Sequence, residues 1–315
     1  KMTDMLLFWA AKGIDGFRCD MAEMVPHEFW KYATEKVKAQ YPHIIFIGEV
    51  YDPNQYRTYL AAGFDYLYDK VGMYDCLRDV MCGHRPASDI TRQWQATDDI
   101  REHVLYFLEN HDEQRIASDF FCGNMQKGIP ALIVAALFQR NPVMIYAGQE
   151  FGERGMDGEG FSGVDGRSTI FDYWSVDAVR KGFFERSKLS AEQLQLEKNY
   201  RTILTLCNSE KAVREGKTFD LTYANEANES FDSSRLFAFL RSSGNTTLLI
   251  VANFGETEAH VRVNIPAHAF DYMELKEGKK DMVDLLSGNH QTATLQRDGA
   301  IEMIVPALSG RVYKF

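Results

Sequence analysis

The 315 residues are 45% hydrophobic and 25% charged, an ordinary globular composition with room for two domains. A formal net charge of -10 disfavours nucleic acid and anionic membranes as partners, since both want a basic face, and no apolar run is long enough to span a bilayer. The five cysteines contain no CxxC pair, which argues against a disulfide framework and leaves a single bridge open.

The opening residues carry no signal-peptide pattern, and the sequence alone does not distinguish a compartment. Residues 4–12 read as a helix started by a Thr or Asp cap and stopped at Gly13. A short strand follows and ends on Arg18 and Asp20. Pro26 opens the next helix, in which Phe29, Ala33 and Val37 recur at helical spacing and which Pro42 closes. Residues 44–47 are apolar throughout, as expected of a parallel strand buried on both faces, and run into Gly48-Glu49. Residues 51–97 are less periodic, with a short strand near 64–68. The strand 104–108 leads into Glu109-Asn110-His111-Asp112. Residues 128–139 form a helix that is apolar almost all round and therefore buried, and Pro142 leads into a strand over 143–147. A long Gly- and Asp-rich loop covers 148–174, a length that usually marks function. Leu196, Tyr200, Ile203, Leu204 and Cys207 then define an amphipathic helix.

After about residue 210 the period changes from helical to alternating. Strands are expected over 236–241, 246–253, 260–265, 301–305 and 311–315, with Ser243-Gly244-Asn245 as a hairpin turn. The expected organisation is an α/β unit over residues 1–209 and an antiparallel β-sandwich over 210–315.

Three apolar runs thus end in acids: Asp20, Glu49 and Asp112. In a parallel barrel, acids at the C-terminal ends of strands converge on one pocket. Two carboxyl groups are the minimum for cleaving an acetal, and a retaining enzyme holds them about 5–5.5 Å apart. Arg18 lies two residues before Asp20, so on a strand both side chains share a face, and a guanidinium there keeps Asp20 ionised as a nucleophile. The strand before Glu49 is wholly apolar, and desolvation favours the protonated form that a general acid needs. Asp112, beside His111, is placed to hold sugar hydroxyls. Tyr51, Tyr66, Tyr68, Tyr173 and Trp174 are stacking candidates, with ordinary packing an equal alternative. Cys19 points away from the Arg18–Asp20 face and reads as core. Gly158 to Gly163 fits G-x-G-x-x-G but follows no strand, so it is refused as a dinucleotide site. The absence of a His-x-His pair argues against a metal hydrolase.

Taken together, Gly16-Phe17-Arg18-Cys19-Asp20, Gly48-Glu49-Val50 and Asn110-His111-Asp112 resemble the three catalytic segments of the α-amylase family of glycoside hydrolases. The resemblance implies Asp20 as nucleophile, Glu49 as acid/base, Asp112 as transition-state stabiliser, Arg18 as orienter of Asp20 and His111 as a substrate contact. Many endo-amylases carry Lys-His where this chain has Glu23 and Met24. The run from Asp20 to Trp30, together with Arg115, is closer to the neopullulanase and cyclomaltodextrinase branch. Glu23, Tyr51 and Arg115 are therefore expected on the substrate side. The implied substrate is an α-glucan or maltooligosaccharide, and the implied fold is strands four to eight of a (β/α)8 barrel followed by the family's C-terminal β-domain. A transglycosylase or a binding-only protein would share the same motifs. No cofactor is required, no metal site is expected, and a structural calcium is left open. The first three barrel strands have no counterpart, so the expectation is a C-terminal piece of a longer enzyme, completed by the missing half or by a second copy.

Overall fold

The structure, a computed structural model, describes residues 1–156, 164–168, 170 and 175–315. Its first compact unit comprises Lys1–Asp75, Gln93–Phe107 and Asn141–Val143. Five strands, β1 (Gly16–Cys19), β2 (Ile45–Gly48), β3 (Tyr66–Tyr68), β4 (Val104–Phe107) and β5 (Val143–Met144), lie in one sheet in chain order. β1, β2, β3 and β4 pair in parallel. Tyr106 N donates to Pro142 O at 3.0 Å on the β5 side. This sheet with its helices is the expected half of a (β/α)8 barrel.

Three helices belong to this unit: α1 (Met2–Ala10), α2 (His27–Gln40) and α3 (Tyr56–Ala61). Pro26 stands at the N-cap of α2. The buried stripe of α2 is Trp30, Ala33, Thr34 and Val37, one position on from the expected Phe29, which is only half-buried. Trp30 packs edge-on against Phe64, which meets Phe46, and Phe46 meets Phe17 across β1 and β2. Lys38 then clamps Asp65 at 2.8 and 2.9 Å, while Asp65 accepts from Phe46 N at 2.7 Å, so one acid ties α2, β2 and the start of β3.

Two expectations change here. β2 is not buried on both faces: Phe46 is fully buried, but Ile45 is 40% exposed. Helix packing covers the face carrying Phe17 and Phe46, while Arg18, Ile47 and Tyr66, which stand in register, occupy the opposite face. Helix α1 starts at Met2 with no side-chain cap, so Thr3 is a buried residue within the helix and not its cap. Gly13, at φ +83, turns the chain into β1, a conformation that costs glycine no Cβ clash.

Beyond β3 the chain enters a π-helical turn, Lys70–Tyr74, organised around Asp69. The Asp69 carboxylate is buried; Tyr56 Oη donates to Oδ1 at 3.2 Å, and Oδ2 has no hydrogen-bond partner among the described residues. A side chain at Gly72 would collide with this carboxylate. Burial raises the Asp69 pKa to about 6, against the opposing pull of the Met73 and Gly72 N–H groups and the Tyr56 hydroxyl. A raised folded-state pKa means that the group's stabilising contribution is complete below 3.8 and is lost as pH rises through about 6. Relative to Asp69→Asn, the wild-type protein should therefore lose about 2 kcal/mol between pH 4 and pH 7. Urea midpoints of both proteins at the two pH values measure this. A difference that stays constant, or that moves the other way, rules it out.

The second unit comprises Cys76–Arg92, Leu108–Arg140 and Met144–Phe315. The chain here contributes α4 (Asp75–Met81), the start of α5 (Asp89–Ala96), α6 (Gly128–Leu137), α7 (Asp177–Phe184) and α8 (Ala191–Ser209), followed by α9 (Lys211–Arg214). All ten residues of α6 are buried, as its all-round apolarity implies. Helix α8 starts on a capping box: Ser190 Oγ accepts from Gln193 N at 3.1 Å and Ser190 N donates to Gln193 Oε1 at 3.0 Å. Strand β5 is only two residues long, shorter than expected, because Gly148 at φ +94 and a 3-10 turn over Gln149–Phe151 take over.

Strands β6 (Lys217–Asp220), β7 (Leu236–Ser243), β8 (Thr246–Asn253), β9 (Ala259–Ile265), β10 (Gly278–Asp284), β11 (His290–Leu295), β12 (Gly299–Val305) and β13 (Ser309–Lys314) build the antiparallel domain, with α10 (Thr222–Asn225) and α11 (Ala267–Met273). Six strands order as β11-β10-β13-β8-β7-β6, and β12 pairs with β9. Ala238 and Leu240 of β7, Leu249 and Val251 of β8, Val263 of β9 and Ile301 of β12 share one core. Ser243 pairs with Thr246, leaving Gly244-Asn245 as a two-residue hairpin loop with Gly244 at φ +61. Arg241 is fully buried and donates to Leu137 O, Val213 O and Gly216 O, so its charge rests on carbonyls at the end of α6 and around α9.

Candidate active site

The C-terminal end of β1 delivers Arg18 and Asp20 to one face. The Arg18 Nη1 donates to Asp20 Oδ1, and Nη2 lies 3.0 Å from Glu49 Oε1, within ion-pair range though misaligned for a hydrogen bond. One guanidinium thus joins the acids that end β1 and β2. Burial opposes its charge, but the bonds to Asp20 and Tyr68 and the field of Glu49 outweigh burial and raise its pKa, so it stays protonated. The two acids sit in contrasting surroundings: the Asp20 side chain is 70% exposed and that of Glu49 7%.

Glu49 is held from several sides. Tyr51 Oη donates to Oε1 at 3.0 Å and Met21 N donates to Oε2 at 2.8 Å. Met21 reaches that position only in the left-handed region, at φ 42 and ψ 45. This costs a side-chain-bearing residue about 1–2 kcal/mol, and strain of this kind gathers at functional sites. The turn that follows Asp20 is therefore bent to present an N–H to Glu49. Glu23 supports the same loop, its Oε2 accepting from Tyr51 N and Asp52 N at 3.0 Å each. Tyr68 is buried beneath the Arg18 guanidinium, 5.5 Å from its ring centroid, and packs on Phe107. Cys19 is buried, and its thiol is pushed up to about 12 by burial, with Arg18 opposing, which agrees with a core role.

His111, Asp112 and Arg115 belong to the second unit. Asn110 Oδ1 accepts from Asp112 N and Glu113 N at 2.9 Å, an Asx turn that shapes the segment. His111 Nε2 lies 3.3 Å from Asp112 Oδ2, and Asp112 O accepts from Arg167 Nε at 2.7 Å. Arg115, expected on the substrate side, is 1% exposed. Its Nη1 donates to Glu109 Oε2 at 2.7 Å, Nε to Ser168 Oγ at 3.0 Å and Nη2 to Ala147 O at 2.8 Å, and its plane lies over Tyr146. In this structure the guanidinium is a strut inside the protein, because a buried Glu109 demands a counter-charge. Glu109 Oε1 also accepts from Ile116 N at 2.8 Å.

Sequence reasoning missed Met21 and Glu109. Nothing in a lone methionine signals a left-handed turn. Glu109 offered a usable sign: it extends the same apolar-to-acid run as Asp112, with an arginine six residues on. Tyr173, Trp174 and the Gly158 to Gly163 run lie outside the described residues. Among the described residues, no group of three or more His, Cys, Asp or Glu side chains gathers as a metal site, and no helix is long and apolar enough to cross a membrane.

A parallel sheet whose strands end in acids, followed by an antiparallel sandwich, has the architecture of barrel glycosidases with a C-terminal β-domain. The model of the alpha amylase catalytic domain matches residues 1–225, and that of the alpha amylase C-terminal all-beta domain matches residues 227–315. The chain belongs to the alpha-amylase family. Alpha-amylase MalA of Haloarcula japonica is 26% identical over 306 residues, covering 95% of this chain and 38% of that protein. The cyclomaltodextrinase of Geobacillus thermopakistaniensis is 22% identical over 284 residues, covering 89% of this chain and 43% of that protein. The chain thus spans 38% and 43% of the lengths of these two relatives. The crystal structure of the alpha-amylase from Geobacillus thermoleovorans complexed with acarbose superposes with a TM-score of 0.72 at 18% identity, over 99% of this chain and 62% of that one, a likeness of fold.

Proposed function

We propose that this chain carries the catalytic acids of a retaining glycoside hydrolase acting on α-glucosidic bonds of starch-type glucans or maltooligosaccharides. The observation that carries the reading is Arg18, which touches both Asp20 and Glu49 while one acid is exposed and the other buried. Asp20 attacks the anomeric carbon and forms a covalent glycosyl ester. Glu49 protonates the departing glycosidic oxygen and then deprotonates the water that hydrolyses the ester. Arg18 orients Asp20 through the bond from its Nη1. Asp112 is assigned as the third acid on its Asn-His-Asp motif, with His111 as a sugar contact. Tyr51 and Glu23 position Glu49, one through its hydroxyl and the other by holding the loop behind it. Arg115 positions the segment that follows Asp112. The acarbose complex of the Geobacillus thermoleovorans enzyme supports a glucan-like ligand.

The test is to incubate the protein with maltooligosaccharides and follow the products. Hydrolysis that disappears in Asp20→Asn while binding persists supports the assignment. Elongated products would make the chain a transglycosylase. Binding without any turnover in the wild-type chain would remove the catalytic claim.

A further inference from the structure

We propose that Cys82 and Cys122 form a reversible intramolecular disulfide that fastens the segment after β4, which carries His111 and Asp112, to the end of α4. Their sulfur atoms stand 3.7 Å apart although the residues are 40 positions apart in the chain. Both are half-buried, so a small oxidant reaches them, whereas Cys19 and Cys76 are buried. A disulfide needs the sulfurs to close by about 1.7 Å from there. Both neighbourhoods have slack for that movement. Cys82 is followed by Gly83 at φ +73 and Cys122 by Gly123 at φ +61, and a Cβ added at either glycine would meet nothing within 4 Å.

Noncovalent contacts already bring the two segments together. From α4, Arg78 lies over the Phe121 ring at 4.1 Å, donates to Gln114 Oε1 at 2.6 Å and sits 3.8 Å from Glu113 Oε2. Folding has therefore met the entropic cost of the encounter before any bond forms. The oxidant is a low-molecular-weight disulfide such as oxidised glutathione. One cysteine thiolate attacks it, forming a mixed disulfide and releasing one glutathione thiolate. The second cysteine thiolate then attacks the mixed disulfide and releases the other. The protein loses two hydrogens, and one oxidised glutathione becomes two reduced ones. Burial and the adjacent Cys82 thiol push the Cys122 thiol up, so exchange is best followed at mildly alkaline pH.

The experiment equilibrates the native chain in buffers of graded reduced-to-oxidised glutathione ratio, followed by acid quenching, alkylation and peptide mass mapping. The expected result is a linked pair of peptides containing Cys82 and Cys122, lighter by two hydrogens than the separate peptides and abolished by dithiothreitol. Hydrogen exchange over residues 110–122 should slow in the oxidised protein, and its thermal midpoint should rise by about 5 °C. Neither shift should occur in Cys82→Ser or Cys122→Ser. Single glutathione adducts without a link, unmodified thiols at the most oxidising ratio, or unchanged exchange in the linked protein would each overturn the proposal. Dithiothreitol reversal in the wild-type chain keeps the test valid if a serine variant folds poorly.

Discussion

Under the proposed retaining mechanism, Glu49→Gln should slow the cleavage of maltooligosaccharides by about 10²–10⁴-fold, the usual contribution of a positioned general acid. Glutamine fills the same space: its amide oxygen can accept from Met21 N where Oε2 stood, and its amide nitrogen can donate to the Tyr51 hydroxyl oxygen, so the loop around it should keep its shape. It has no proton to give the departing oxygen. The loss should therefore depend on the leaving group. An aryl maltoside whose phenolate departs unaided should be affected much less than a natural oligosaccharide. Measuring kcat/KM for both substrates in both proteins separates the chemistry from structural damage. Equal losses on the two substrates would mean that the substitution disturbed the site, and wild-type rates on the oligosaccharide would take the acid role away from Glu49.

Arg115→Met should destabilise the second unit by about 3–5 kcal/mol, because removing one partner of a buried ion pair strands the other. Glu109 is fully enclosed and meets the Arg115 Nη1 at 2.7 Å. Burial raises its pKa, and Arg115 is the first of the groups that pull it back. Without the arginine the carboxylate keeps, among the described residues, the hydrogen bond from Ile116 N, and protonation becomes its remaining relief. The group's contribution is then complete at low pH and lost as pH rises through its raised folded pKa, so the deficit of the variant should be smaller at pH 5 than at pH 7. Arg115→Met/Glu109→Gln should recover much of the loss, since neither residue then buries an unpaired charge. Denaturant midpoints by circular dichroism measure all four combinations. A single variant no less stable than the double one would show that the pair is not what holds this segment.

The parts of this protein legible in one dimension were those with a strong local rule. The all-apolar run of α6 admitted only burial, and the change of period after residue 210 marked the antiparallel strands with large alternating side chains. Three acid-ended runs in the right order carried the family resemblance, because each motif is short, contiguous and placed where a strand stops. The edge of the sandwich was harder. β10 and β11 read as polar stretches, since strands at or near a sheet edge bury few side chains and lose the alternation that reveals them.

What the chain order could not express is which groups face one another. An apolar strand looks alike whether one face or both are covered, so Ile45 gave no sign that helix packing would cover only the side bearing Phe46. Arg115 was expected on the substrate side through the branch resemblance alone, and the three-dimensional arrangement commits its donors to Glu109, Ser168 and Ala147. Glu23 likewise turned out to hold the backbone of Tyr51 and Asp52. By itself the sequence determined the chemistry present: strand ends bearing an arginine and three acids, a half-barrel pattern and a sandwich. Tertiary structure decided the partners, because burial makes every charge choose a counter-charge, and that choice depends on distances between residues far apart along the chain.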